Sequence, residues 1–169
     1  TERIAPNVLY QDVVSYGSEI VAVGNGERII TSPDGIAWTS RRAGIGDSAL
    51  NAVDQSGSII VAVGNKPGSS FIVSSIDGIS WTEQTVSSTQ VLVDIEWAGT
   101  QFVAVGQNGT IVTSPDGITW TSRTSAADNT WYSVTYGGGL FVAVSCSGTN
   151  QAMTSPDGIN WTSQSIPRG

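Results

Sequence analysis

Thr31-Ser32-Pro33-Asp34-Gly35-Ile36-Ala37-Trp38-Thr39 is the stretch whose reading decides the fold, because it returns as Ser74 to Thr82, Thr113 to Thr121 and Thr154 to Thr162. Its Asp falls at 34, 77, 116 and 157, with spacings of 43, 39 and 41 residues. A second signature precedes each copy: Ile20-Val21-Ala22-Val23-Gly24, then Ile60 to Gly64, Phe102 to Gly106 and Phe141 to Ser145. Two unlike motifs in fixed order, four times over, define a unit of about 41 residues, the length of propeller blades and solenoid turns.

Within each unit the apolar runs are short, β-branched or aromatic, and separated by Gly, Asn, Asp and Pro, which is the signature of strands and tight turns. In the third unit the strands are expected over Val91 to Trp97, Gln101 to Gly106, Thr110 to Ser114 and Thr119 to Arg123. No window carries the 3.6-residue apolar period of a helix. The expectation is an all-β propeller of four-stranded antiparallel blades, one repeat domain over 1–169 with blades near 5–42, 43–85, 86–124 and 125–167. In the recurring turn, Asp and Ser side chains bond nearby backbone N–H groups, and the Gly after Asp takes positive φ. Period-two alternation places Trp at Asp+4 and Ile at Asp+2 on one face, so Trp38, Trp81, Trp120 and Trp161 are expected to pack between neighbouring blades.

The turn resembles the Asp-box, or BNR repeat, of sialidase-like propellers and of propellers related to photosystem II assembly factors. The resemblance runs through Ser32/Asp34/Gly35/Trp38, Ser75/Asp77/Gly78/Trp81, Ser114/Asp116/Gly117/Trp120 and Ser155/Asp157/Gly158/Trp161. These copies depart from the usual box, which commonly has a second Gly and sets the aromatic one position later. The resemblance implies the fold and leaves function open. Sialidase activity needs a converging arginine cluster, a tyrosine nucleophile with a glutamate partner and an acidic acid/base residue. Here Arg3, Arg41 and Arg123 share one slot three residues after the Trp position, so they are expected at equivalent places around a ring rather than at one carboxylate. No catalytic residue is identified.

Composition narrows the classes further. The chain has 169 residues, no His and one Cys, which removes the commonest metal ligand and general base and leaves Cys146 as an expected free thiol. Seven basic against fourteen acidic residues give a net charge of −7, the wrong sign for a nucleic-acid partner. Apolar runs such as Ile59 to Val63 fall far short of the ~20 residues that span a bilayer as a helix. No cofactor and no metal is expected: Asp12, Asp54, Asp94 and Glu96 on the innermost strands are read as solvated acids rather than cation ligands. The Ser/Thr-rich composition, a single Lys and two sequons, at Asn108 and Asn160, favour an extracellular or surface-exposed location.

Thr1-Glu2-Arg3 aligns with the residues that follow Trp in the other units, so 1–4 is read as the remainder of a preceding repeat. Four units either close a small ring alone, pair with a second chain into a larger ring, or neighbour further repeats of a longer parent. A homo-oligomer of two chains completing a ring, or a longer parent, is the favoured expectation. Positions that differ between units are where a partner is recognised. Arg28, Arg41, Arg42, Lys66, Trp131 and Tyr132 are the rim residues expected to combine charge with aromatic stacking against a protein or a glycan. The leading reading is a non-catalytic binding or assembly module with a protein partner. The alternative is a propeller lectin, and a glycosidase-related enzyme ranks third.

Overall fold

The computed structural model describes residues 9–26, 28–42, 46, 48–148 and 150–166, and for Arg42 the backbone alone. Residues 1–4, read as a remnant of a preceding repeat, lie outside that set, as does Arg3. Sixteen strands form four sheets and no helix occurs among the described residues. Blade 1 is β1 (Tyr10–Tyr16), β2 (Glu19–Gly24), β3 (Arg28–Ser32) and β4 (Thr39–Arg42). Blade 2 is β5 (Ala49–Gln55), β6 (Ile60–Lys66), β7 (Ser69–Ser75) and β8 (Thr82–Glu83). Blade 3 is β9 (Leu92–Trp97), β10 (Phe102–Gly106), β11 (Ile111–Ser114) and β12 (Thr121–Arg123). Blade 4 is β13 (Trp131–Gly137), β14 (Leu140–Ser145), β15 (Ala152–Ser155) and β16 (Thr162–Gln164). Each is an antiparallel meander in sequence order.

The second strand of each blade explains how blades stack. Its side chains alternate across the sheet, so Ile60 and Ala62 turn toward blade 1 while Val61 and Val63 turn toward blade 3. Val21 and Val23 meet Ile60 and Ala62; Val61 and Val63 meet Phe102 and Ala104; Val103 and Val105 meet Phe141 and Ala143. Three cores of one design therefore join four blades, and burying each Val, Ile or Phe side chain stabilises the stack by roughly 1.5–3 kcal/mol.

A register shift recurs in the innermost strand of all four blades, between Tyr10 and Asp12, Leu50 and Ala52, Leu92 and Asp94, and Trp131 and Ser133. This is a β-bulge opposite the end of the second strand. It explains the final Gly of the strand-two signature: a Cβ on Gly24, Gly64 or Gly106 would lie 2.1, 1.9 or 2.1 Å from the carbonyl oxygen of Leu9, Ala49 or Val91.

The turn between strands three and four is closed by side chains. In blade 2 the Ser75 hydroxyl donates to Asp77 Oδ1 at 2.9 Å and accepts from Gly78 N at 2.9 Å, while Asp77 Oδ1 accepts from Ile79 N and Ser80 N at 2.8 Å each. The Asp contacts repeat at Asp34, Asp116 and Asp157. Gly78 sits at φ 69°, as the turn requires. The Trp indoles of three blades donate to the carbonyl of that Gly: Trp38 to Gly35, Trp81 to Gly78 and Trp161 to Gly158. Trp81, Trp120 and Trp161 pack into the three cores. Trp38 does not, being 41% exposed on the outer side of blade 1. The Ile at Asp+2 departs from expectation: Ile36, Ile79, Ile118 and Ile159 are all exposed. They lie in the turn, before β4, β8, β12 or β16 begins, where period-two alternation does not apply.

Backbone N–H and hydroxyl donors hold the turn aspartates below the ordinary carboxylate range. A depressed folded-state pKa means a contribution fully present above about pH 4 and lost as pH falls through the folded value. Asp77→Ala is expected to lower the urea midpoint, because it removes the acceptor that ties Ile79 N and Ser80 N into the turn. Asp77→Asn keeps an accepting oxygen, so it should stay closer to wild type at pH 7 and weaken the acid sensitivity below pH ~4. Gly64→Ala should cost more than about 1 kcal/mol in the same assay, since the obstacle is backbone.

Candidate binding surfaces: the connecting rim and two open blade faces

The innermost strands β1, β5, β9 and β13 pack in succession around an axis, and among the described residues no comparable contact returns from β13 to β1. The four blades are thus an arc with two open faces. On blade 1 the open face holds Tyr10, Val13, Ile20, Ile30 and Trp38; Val13 is 57% exposed, whereas its counterpart Val53 in blade 2 is 5% exposed. On blade 4 it holds Leu140, Val142 and Val144; Val144 is 45% exposed, whereas Val63 and Val105 at the same register are fully buried.

Around the axis the carboxylates correct the expectation of solvated acids. Asp12 Oδ2 accepts from Val53 N of the next blade at 2.9 Å, Asp54 Oδ2 from Trp97 N at 2.6 Å, Asp94 Oδ2 from Val134 N at 2.8 Å and Glu96 from Tyr136 N at 3.0 Å. Asp12, Asp54 and Asp94 also accept through Oδ1 from the residue that follows each. The acids bridge consecutive innermost strands. Desolvation raises the pKa of Asp54, Asp94 and Glu96, partly offset by these N–H donors. Among the described residues no group of three His, Cys, Asp or Glu is placed to hold a metal ion.

One end of the arc is a rim made of the strand-two to strand-three turns and the links between blades, and backbone bonds join the two kinds of loop. Gly26 N donates to Ser48 O, Ser70 N to Ser88 O, and Gly109 N to Asn129 O. Asn129 Nδ2 continues the line to Asn150 O at 2.6 Å, and Asn108 Nδ2 reaches Gln90 Oε1 at 2.7 Å. The rim is therefore a bonded scaffold rather than a set of independent loops.

The six rim residues expected from sequence do not converge. Lys66 pairs with Glu83 and lies over the Phe71 ring, 5.8 Å from its centroid. Arg41 Nε donates to Thr31 Oγ1 at 3.2 Å, the same strand-three to strand-four tie made by Gln84 to Ser74, Arg123 to Thr113 and Gln164 to Thr154. Arg28 lines a depression of about 260 Å³ with Tyr10, Ile30 and Ser40 on the open face of blade 1. For Arg42 the structure describes the backbone position in β4, paired with Arg28. Trp131 is corrected outright: it is fully buried in the core between blades 3 and 4, its indole donating to Ser125 Oγ at 2.9 Å. It occupies the register of Leu50 and Leu92, so packing accounts for it. Its neighbour Tyr132 is the bulge residue, 51% exposed, with its hydroxyl beside the exposed Cys146 thiol, which raises the phenol pKa. A second depression, about 500 Å³, lies between the turns of blades 2 and 3, with Ile59, Ile76, Asp77 and Ile118 in its wall.

Comparison with known proteins bears on the fold. No protein-family model matches the sequence, and no curated protein matches it either. Among solved structures the chain is similar to YCF48 bound to D1 peptide, with 20% identity, a TM-score of 0.73, and coverage of 95% of this chain and 55% of that one. YCF48 from Cyanidioschyzon merolae gives 18% identity, a TM-score of 0.72, and coverage of 95% and 58%. A structural genomics protein of unknown function from Bacteroides thetaiotaomicron VPI-5482 gives 11% identity, a TM-score of 0.64, and coverage of 91% and 42%.

Asp94→Ala is expected to lower stability by about 1–3 kcal/mol at pH 7, since it strands Ile95 N and Val134 N. A raised folded-state pKa means that the native carboxyl holds its proton longer than the unfolded one, so its contribution declines as pH rises through that value. Urea titrations should therefore show a larger deficit of the variant at pH 4 than at pH 7. The chain is an all-β, four-bladed propeller arc that spans a little over half the length of the two YCF48 chains it resembles.

Proposed function

We propose that the chain is a non-catalytic binding and assembly module that engages a segment of another protein through the rim of strand-connecting loops. The observation that carries this reading is the division of labour between positions. The Asp turns, the strand-two residues and the innermost carboxylates are spent on the same packing and hydrogen-bonding task in successive blades. The rim loops share a bonded backbone but differ in side chain: Asn25 and Gly26, Lys66 to Ser69, Gln107 to Gly109, and Cys146 to Gly148. A fixed scaffold presenting variable loops is the usual basis of recognition. The similarity to a propeller solved with a bound D1 peptide supports a peptide as the kind of partner.

The same observations weigh against the other two readings. The inner carboxylates, which an acid/base pair would need, have backbone N–H partners instead. A lectin with equivalent sugar pockets would repeat its polar and aromatic groups from blade to blade, whereas Arg28, Phe71, Thr110 and Gln151 stand at corresponding places. We read the four turns as boxes of the Asp-box kind on their shared Ser–Asp–backbone bonding.

The test is an immobilised library of overlapping 15-residue peptides, with a sugar array in parallel. Saturable binding to a subset sharing one pattern, with Kd near micromolar, is expected. Lys66→Glu, which sets a second acid against Glu83 on the rim, should weaken that binding about tenfold while leaving the thermal midpoint within a few degrees. Binding to defined sugars with none to peptides would overturn the proposal.

A further inference from the structure

We infer that the two open blade faces are halves of one interface, and that a second copy of this chain occupies both, blade 4 of each copy packing on blade 1 of the other so that two arcs complete a ring. The inference rests on the assembly reading above, but its readout is mass rather than peptide binding, so either can fail alone.

Register carries the argument. Leu140, Val142 and Val144 hold the positions of Ile59, Val61 and Val63, which pack forward onto blade 3. Ile20, Ala22 and Ile30 hold the positions of Ile60, Ala62 and Val73, which pack backward onto blade 1. The faces are complementary to each other, as in three junctions already built within the chain, and not to themselves. Tyr10, Val13 and Trp38 on the open face of blade 1 and Leu140 and Val144 on that of blade 4 are each more than 40% exposed, and contiguous apolar surface of this kind marks an interaction site. The arc superposes on a little over half of each YCF48 chain, so folds of this kind carry further structure beyond four blades.

The rim end of the junction identifies its recognition pair. Asn51, the bulge residue of blade 2, donates from Nδ2 to Leu92 O of blade 3 at 2.7 Å. Its counterpart in blade 4 is Tyr132, and the counterpart of Leu92 in blade 1 is Tyr10, beside the Arg28 depression. The junction therefore brings the Tyr132 ring of one copy to Tyr10 and Arg28 of the other, an aromatic and cation–π pairing. Other positions weaken it. Blade 4 carries Ser133 and Thr135 where blades 1 and 3 carry the bridging acids Asp12, Asp94 and Glu96, so no carboxylate crosses to the next copy. Each copy also brings a net charge of −7. Association is accordingly concentration-dependent and strengthened by salt, which screens the repulsion.

Sedimentation equilibrium of the chain at about 100 µM, above micromolar dissociation constants, tests this. The expected mass is twice 17.6 kDa. Val13→Lys and Val144→Lys, both at exposed positions, should each give 17.6 kDa with an unchanged far-ultraviolet spectrum. An equimolar mixture of the two should regain the doubled mass, because one intact junction remains between a wild-type blade 4 face and a wild-type blade 1 face. A wild-type mass of 17.6 kDa overturns the inference, as does a doubled mass in either variant alone or a mixture that stays single.

Discussion

The contact between consecutive blades is the constraint on which the rest depends. A four-stranded sheet of this size cannot bury both faces by itself, and here each inner sheet is apolar on both sides. The second strand shows this most economically: Val61 and Val63 serve one junction and Ile60 and Ala62 the other. The Asp turn contributes a Trp to the backward side of its blade, and the bulge lets the innermost strand pass close to the final Gly of strand two. Each recurring residue type thus answers one recurring packing problem.

Hydrogen bonding across the same contact gives it direction. Asp12, Asp54, Asp94 and Glu96 all reach forward, from one innermost strand to the backbone of the next. Half-buried carboxylates with N–H partners hold the strands in register around the axis, at a desolvation cost visible in the raised pKa values of Asp54, Asp94 and Glu96. The turn aspartates sit at the other extreme, exposed and stabilised as anions. One residue type therefore responds to acid in opposite senses at two places in the fold.

Much of this was legible in the sequence. The fourfold spacing of Asp and Trp defined the blades, and the expected strands of blade 3 agree with β9 to β12 within two residues at every end. Local turn chemistry was legible because Ser75, Asp77 and Gly78 act on neighbours three residues away or fewer. The bridging carboxylates were not, since Asp12 finds its partner 41 residues on and nothing local marks the direction in which it reaches. Tyr132 and Trp131 illustrate a second limit. Trp131 packs into the core with blade 3 while Tyr132, at the bulge, corresponds to Asn51, which reaches the following blade, so one of two adjacent aromatics is buried and the other exposed without any difference in composition to announce it. The exposed Ile36 marks a third, because strand periodicity was extended into a turn.

The central claim is an arc in which blade 4 does not fold back onto blade 1. Pulsed electron resonance on spin labels at the exposed turn positions Ile36, Ile79 and Ile159, introduced in pairs by Ile→Cys in a Cys146→Ser background and diluted with unlabelled chain, measures it directly. The arc predicts that the distance from 36 to 159 clearly exceeds the distance from 36 to 79. Equal distances, as in a closed ring of four, would contradict it.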